Sequence, residues 1–153
     1  MKELLEFLEK KFNDENEIDI LQHNNFELSL RNKYLDDEFF KELAVLLKFA
    51  PNIIHLNFEG NNMTHEGLKA LLDGVKDHKL TSLNIGWSRG LESNSGKLIA
   101  ELIQTSKTLT HLNLSCNNSK EAEIKLILEA VKIDNSVLHL VLCGNNIGTT
   151  GYI

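Results

Sequence analysis

Ile53-Ile54-His55-Leu56-Asn57-Phe58-Glu59-Gly60-Asn61-Asn62-Met63-Thr64-His65-Glu66-Gly67-Leu68-Lys69-Ala70-Leu71-Leu72 decides the fold. Apolar side chains at Ile53, Leu56, Phe58 and Met63 surround Asn61 in the order L-x-x-L-x-L-x-x-N-x-L. The alternation over Leu56 and Phe58 is that of a strand, whereas Leu68, Leu71 and Leu72 recur at three and four places, which is helical. One short strand followed by one helix buries neither apolar face alone, so the unit has to be stacked on copies of itself.

The copies are present. Leu109, Leu112, Leu114 and Asn117 form one, and Val137, Leu140, Leu142, Asn145 and Ile147 another. Leu80, Leu83 and Ile85 open a degenerate copy, with Ser88 in place of Asn and the next apolar residue, Leu91, one place late. Leu28, Leu30 and Leu35 make an imperfect first copy, with Asn25 in the opening slot and Lys33 in the Asn slot. Copies starting at Asn25, Ile53, Leu80, Leu109 and Val137 give a period of about 28 residues, and a period in that range marks a repeat array.

These motifs resemble those of leucine-rich repeat proteins, and specifically the ribonuclease-inhibitor-like subfamily, whose long repeats place a full helix after each strand. Met63-Thr64-His65-Glu66-Gly67-Leu68 and Ile147-Gly148-Thr149-Thr150-Gly151 are similar to that subfamily's turn. The resemblance implies an α/β solenoid over residues 25–153: five repeats, the last incomplete, in a horseshoe arc with a parallel concave sheet and convex helices. It also implies that Asn61, Asn117 and Asn145 bond to neighbouring backbone groups, with Lys33 and Ser88 interrupting the ladder. The Asn- and Lys-rich, Pro-poor composition looks like that of short leucine-rich repeat effectors of intracellular bacterial pathogens, which act in the host cytosol.

Residues 1–24 are expected to form an N-terminal capping helix and lead-in. Leu4, Leu5, Leu8 and Phe12 share one face, and a polar-backed terminal element is needed to cover a solenoid's open end. Asn13-Asp14-Glu15-Asn16 is expected to end this helix, and Ile18, Ile20 and Leu21 to tuck beneath the first strand. Repeat helices are expected to bury Phe39, Phe40, Leu43 and Leu47; Leu68, Leu71, Leu72 and Val75; Leu98, Ile99, Leu102 and Ile103; and Ile124, Ile127, Leu128 and Val131. Asp36 or Asp37 caps the first of them. The sequence stops at Ile153, where the fifth helix should begin, and the expectation is a fragment of a longer protein or an end covered by a partner.

A net charge of -6 disfavours nonspecific nucleic-acid or anionic-membrane binding and leaves a basic protein partner open. No apolar run approaches the roughly 18 residues of a spanning helix, and two Cys imply no disulfide framework, so a reducing cytoplasm is the expected location. Five repeats leave no room for a catalytic domain, and no phosphate loop is present. Neither Cys116 nor Cys143 has an evident base, orienting group and oxyanion site together, so no enzyme and no cofactor are expected. His55, His111 and His139 share one repeat position; a shared metal and a solvent-facing polar row are the two readings, and no C-x-x-C or H-E-x-x-H spacing supports the metal.

What remains is a surface. Residues flanking the Leu positions, Gly86 and Ser115 among them, are expected to point out of the concave sheet. Arg31, Tyr34, His55, Asn57, Glu59, Asn84, Trp87, Arg89, His111, Asn113 and His139 are therefore the expected partner-binding residues. Trp87, the single Trp, either plugs the degenerate repeat or acts as a binding hot spot. The expected function is non-catalytic protein–protein interaction through the concave face and strand-end loops. The resemblance implies an enzyme covered at its active site, or another effector, as partner; the alternative is a sensor or scaffold segment of a larger receptor or effector.

Overall fold

The computed structural model describes residues 1–12, 26–88, 90–91 and 94–148. The expectations placed on Asn13 to Asn16, on Ile18, Ile20 and Leu21, on Arg89 and on Thr149 to Gly151 lie outside those residues. In chain order the described elements are α1 (Lys2–Phe12), β1 (Glu27–Ser29), α2 (Asp37–Leu47), β2 (His55–Asn57), α3 (His65–Val75), β3 (Ser82–Asn84), α4 (Ser95–Thr105), β4 (His111–Asn113), α5 (Glu121–Ile133) and β5 (His139–Val141). The five strands form one open parallel sheet in the order of the chain.

Register follows from the repeat. Leu28, Leu56, Leu83, Leu112 and Leu140 stand side by side at the centres of the strands. The first four are buried, and their neighbours within each strand turn to the opposite face. A one-residue slip would expose every one of these Leu side chains, so the apolar pattern fixes the pairing. Parallel neighbours need a crossover, and here each crossover is a helix laid over the Leu face.

Local chemistry starts the helices. Asp36 caps α2 by accepting from the Phe39 N–H at 3.1 Å. Asp37 instead reaches forward, accepting from the Thr64 N–H at 2.8 Å and from the Thr64 hydroxyl, while Thr64 caps α3 by accepting from the Glu66 N–H. The start of one helix is thereby tied to the start of the next. The expected apolar faces are largely found, with one correction: Leu128 is exposed, and α5 buries Ala130 with Ile124 and Ile127.

Aromatic rings run through the first half of the core. Phe7 of α1 meets Phe39 at 5.4 Å between ring centroids, Phe39 meets Phe40 at 5.7 Å, and Phe40 meets Phe58 at 5.2 Å. Leu4 and Leu8 of α1 are buried on the same side. Helices α2 and α3 touch backbone to backbone: a Cβ on Gly74 would lie 2.7 Å from the Ala44 Cα. Helices α3 and α4 are held apart by an open groove of about 660 Å³ flanked by half-buried Leu72, Leu98 and Leu102.

The turns after the strands are joined by Asn side chains. Asn61, buried, accepts from the N–H groups of Lys33 and Leu35 in the preceding repeat, both at 3.1 Å. Its amide donates to the Leu30 and Phe58 carbonyls at 2.8 Å. Asn145 repeats this with Asn117, Ser119, Leu114 and Leu142. Asn117 accepts from Ser88 N–H and donates to the Ile85 carbonyl. Ser88 occupies the same slot in the third repeat, and its hydroxyl donates to the Ile85 carbonyl at 3.0 Å, the bond that Asn61 makes to Phe58. Met63 and Leu91 both reach the core, so the late Leu91 fills the place the consensus assigns one residue earlier.

Removing one of these amides strands several buried backbone groups at once, each costing about 1–3 kcal/mol. Asn61→Ala is therefore expected to destabilise the fold by at least ~3 kcal/mol in urea unfolding, whereas Asn62→Ala, next to it and exposed, is expected to cost less than ~0.5 kcal/mol. Equal effects at the two positions would contradict the assignment.

Candidate functional site

The sheet's free face is a shallow trough. Its floor carries His55 and Asn57, Ser82 and Asn84, His111 and Asn113, and His139 and Val141, around a concavity of about 240 Å³. His111 and His139 stack with ring centroids 4.4 Å apart and planes 20° from parallel, because parallel register sets them directly opposite. The Thr110 hydroxyl lies 2.8 Å from Nδ1 of His111 and 3.2 Å from the Thr81 carbonyl, which orients that ring.

The Asn residues of the floor also serve the turns. Asn57, Asn84 and Asn113 each accept, through Oδ1, the backbone N–H two residues on, at 3.3, 3.1 and 3.0 Å. One oxygen of each is thus committed to its own turn, a local Asx arrangement that the sequence pattern did not signal. The amide nitrogen of Asn84 donates to Glu59 at 2.7 Å. The second oxygen of Glu59 accepts from Arg31 at 3.0 Å. Glu59 therefore joins the trough to the rim.

At the rim, three residues beyond each of the first four strands, one N–H donates to the next repeat: Asn32 to Glu59, Gly60 to Gly86, Trp87 to Ser115 and Cys116 to Cys143. Every occupant of this slot has left-handed backbone, with φ of 55° at Asn32, 74° at Gly60, 59° at Trp87, 55° at Cys116 and 71° at Gly144. Gly and Asn enter that region readily; other side chains do so at a cost of about 1–2 kcal/mol. Tyr34, two places beyond Asn32, is also left-handed at 57°. Trp87 is 48% exposed, so its ring does not plug the third repeat, and Tyr34 is 81% exposed.

Of the residues expected to contact a partner, His55, Asn57, Asn84, His111, Asn113 and His139 share the trough. Tyr34, Glu59 and Trp87 line a second depression of about 440 Å³ at the rim, with Asn32, Gly60, Asn61, Asn62 and Ser88. Arg31 joins the two through Glu59, and Arg89 lies outside the described residues. Two positions read as outward-facing are corrected: Gly86 and Ser115 are buried, because the Ser115 hydroxyl and Asn113 amide close over Gly86. Sequence reasoning missed the left-handed slot, although the recurrence of Gly and Asn at Asn32, Gly60 and Gly144 could have revealed it. It also missed the groove between α3 and α4.

Among the described residues no group of three or more His, Cys, Asp or Glu is placed to hold a metal ion, and Cys116 and Cys143 are free thiols. No described helix is long and apolar enough to cross a membrane.

No protein-family model matches the chain. It is 30% identical over 111 residues to NACHT, LRR and PYD domains-containing protein 4C of mouse, covering 71% of this chain and 11% of that protein. NACHT, LRR and PYD domains-containing protein 4E of mouse is 30% identical over 104 residues, 66% of this chain and 10% of that protein. FERM domain-containing protein C of Dictyostelium discoideum is 27% identical over 106 residues, 69% of this chain and 7% of that protein. The chain thus spans about a tenth of the length of the curated relatives it matches, and its similarity is to leucine-rich-repeat-containing proteins.

Because Arg31 is half-exposed, its ion pair with Glu59 is of the kind worth about 0–1 kcal/mol. Arg31→Ala is expected to lower unfolding stability by less than ~1 kcal/mol, measured in urea, so a large loss of partner binding in that variant reads as a lost contact. A stability loss above ~2 kcal/mol would show instead that Arg31 holds the rim together.

Proposed function

We propose that the chain is a non-catalytic protein-binding segment of the leucine-rich repeat class, similar in style to the ribonuclease-inhibitor-like subfamily. In this reading the strands line the concave side of an arc, the helices its convex side, and α1 covers the first repeat's end. The partner is a protein held across the trough and the rim.

The observation that carries the reading is the trough itself. Its side chains are supplied by successive strands in fixed register, and polar contacts already order several of them. A surface ordered before association loses less conformational entropy on binding. Residues of a reaction centre would have to converge on one point, whereas these form parallel rows, which favours recognition over catalysis.

Inhibition of a partner enzyme by covering its active site, and delivery of the protein as a bacterial effector into a host cytosol, are finer forms of the proposal that rest on resemblance alone. A second reading has its own support. The two mouse relatives are multidomain by name, and the chain matches about a tenth of each, which favours a sensing or scaffolding segment of a larger protein.

Photo-crosslinking tests the proposal. With a benzophenone amino acid at Ser82 or Asn113 in the trough, or at Lys69 on α3, the expected result is one protein adduct from both trough positions and none from Lys69. Adducts from Lys69 and none from the trough would transfer binding to the helical side and overturn the assignment.

A further inference from the structure

The rim depression is built as a notch, and its making is legible. Asn32, Gly60 and Trp87 occupy the same slot in three successive repeats, so their Cα atoms advance by about one strand spacing each, roughly 4.8 Å. The middle position has no side chain and cannot acquire one cheaply. A Cβ on Gly60 would lie 1.9 Å from Oδ1 of Asn32, and Gly60 has φ of 74°. The Asn32 side chain packs over Gly60 instead, and the depression beside it is lined by Tyr34, Trp87, Glu59 and Asn62 as well.

Both aromatic walls are kept against local preference. Six non-glycine residues among those described have positive φ: three are Asn, the type that tolerates it, and the others are Tyr34, Trp87 and Cys116. Two of those three thus face one notch. Tyr34, 81% exposed, gains little burial in return, and Trp87, 48% exposed, still leaves half of its surface open to a partner. Bulky residues held in a disfavoured backbone region without a packing role point to a use outside the fold.

The notch's chemistry selects what fits between the rings. Its eight lining residues include one carboxylate, two aromatic rings and no cationic side chain. The Asn62 amide nitrogen is spent on the Tyr34 carbonyl, which leaves its oxygen as an acceptor, while Asn61 and Ser88 are committed to the turns. Aromatic faces attract cations within about 6 Å of their centroids, and a planar guanidinium also stacks on them. A chain of net charge -6 draws basic partners at long range.

We infer that the notch between Tyr34 and Trp87 is a docking site for an arginine side chain of the protein partner. The inference rests on the proposed protein-binding function and assigns the partner a basic residue at the rim. A guanidinium in the notch would stack against Trp87 and donate to the Asn62 and Asn32 oxygens. Both oxygens of Glu59 are already engaged, one by Arg31 and the other by Asn84, so the guanidinium is held by the rings and the amide oxygens rather than by Glu59.

Trp87 is the single Trp, so its fluorescence reports the notch directly. The chain of residues 1–153 would be titrated with hexa-arginine peptide, with hexa-citrulline as the neutral isostere and chitohexaose as a sugar control. Hexa-arginine is expected to perturb Trp87 emission saturably, with both controls at least 10-fold weaker. By calorimetry, Trp87→Gly and Tyr34→Asn are each expected to weaken hexa-arginine binding at least 5-fold with net charge unchanged. Trp87→Gly places at this slot the residue its backbone prefers, so its thermal midpoint is expected to match or exceed the native one, and lost binding cannot be lost folding. Equal perturbation by citrulline or the sugar, or unchanged hexa-arginine affinity in both variants, would overturn the inference. Failure here together with trough adducts in the crosslinking experiment would remove the notch and leave the broader function standing.

Discussion

The turns at Asn61, Asn117 and Asn145 depend on a side-chain amide placed where the backbone cannot satisfy itself. Parallel strands of three residues end abruptly, and the chain then turns through a left-handed residue toward its helix. That geometry points carbonyls and N–H groups of two successive turns into a dry interior, and unpaired groups there are expensive. Asn supplies two donors and one acceptor oxygen from one short side chain. Asn61 and Asn145 each use them to join their own turn to the preceding one, so the array is held by the same bonds that close its turns.

The third repeat shows what happens when that amide is replaced. Ser88 keeps the short bond within its own turn and, among the described residues, makes none to the second repeat. On the helical side the same junction is the one opened by the groove between α3 and α4, whereas α2 and α3 are in backbone contact. The junction is instead carried by strand pairing between β2 and β3 and by buried Leu56, Phe58, Leu83 and Ile85. Trp87 stands at this same place, next to Ser88 in sequence and on the rim in space. The junction opened by the groove thus coincides with the single Trp.

The repeat was legible because burial is periodic. Leu at the centre of each strand and apolar residues at helical spacing can be read without coordinates, and the Asn ladder follows from the same alignment. Helix detail was harder: Leu128 fits the helical period as well as Ala130 does, yet Ala130 is buried and Leu128 exposed. The trough could be outlined by alternation, since residues beside a buried Leu must face the other way. Alternation fails just past the strand, where the backbone turns; Gly86 and Ser115 are therefore buried against expectation. The dual use of Asn57, Asn84 and Asn113 was invisible because Asx bonding depends on a turn conformation that spacing does not specify.

Amide hydrogen exchange tests most directly whether Asn side chains close the turns. The N–H groups of Lys33, Leu35, Ser88, Asn117 and Ser119 lie outside the strands, and each donates to an Asn oxygen. They are expected to exchange as slowly as the paired N–H groups of Leu56 and Leu83, opening with the array rather than as surface turns. Exchange of these five near the rate of an unprotected loop would contradict that role, and would leave apolar burial alone to hold the repeats together.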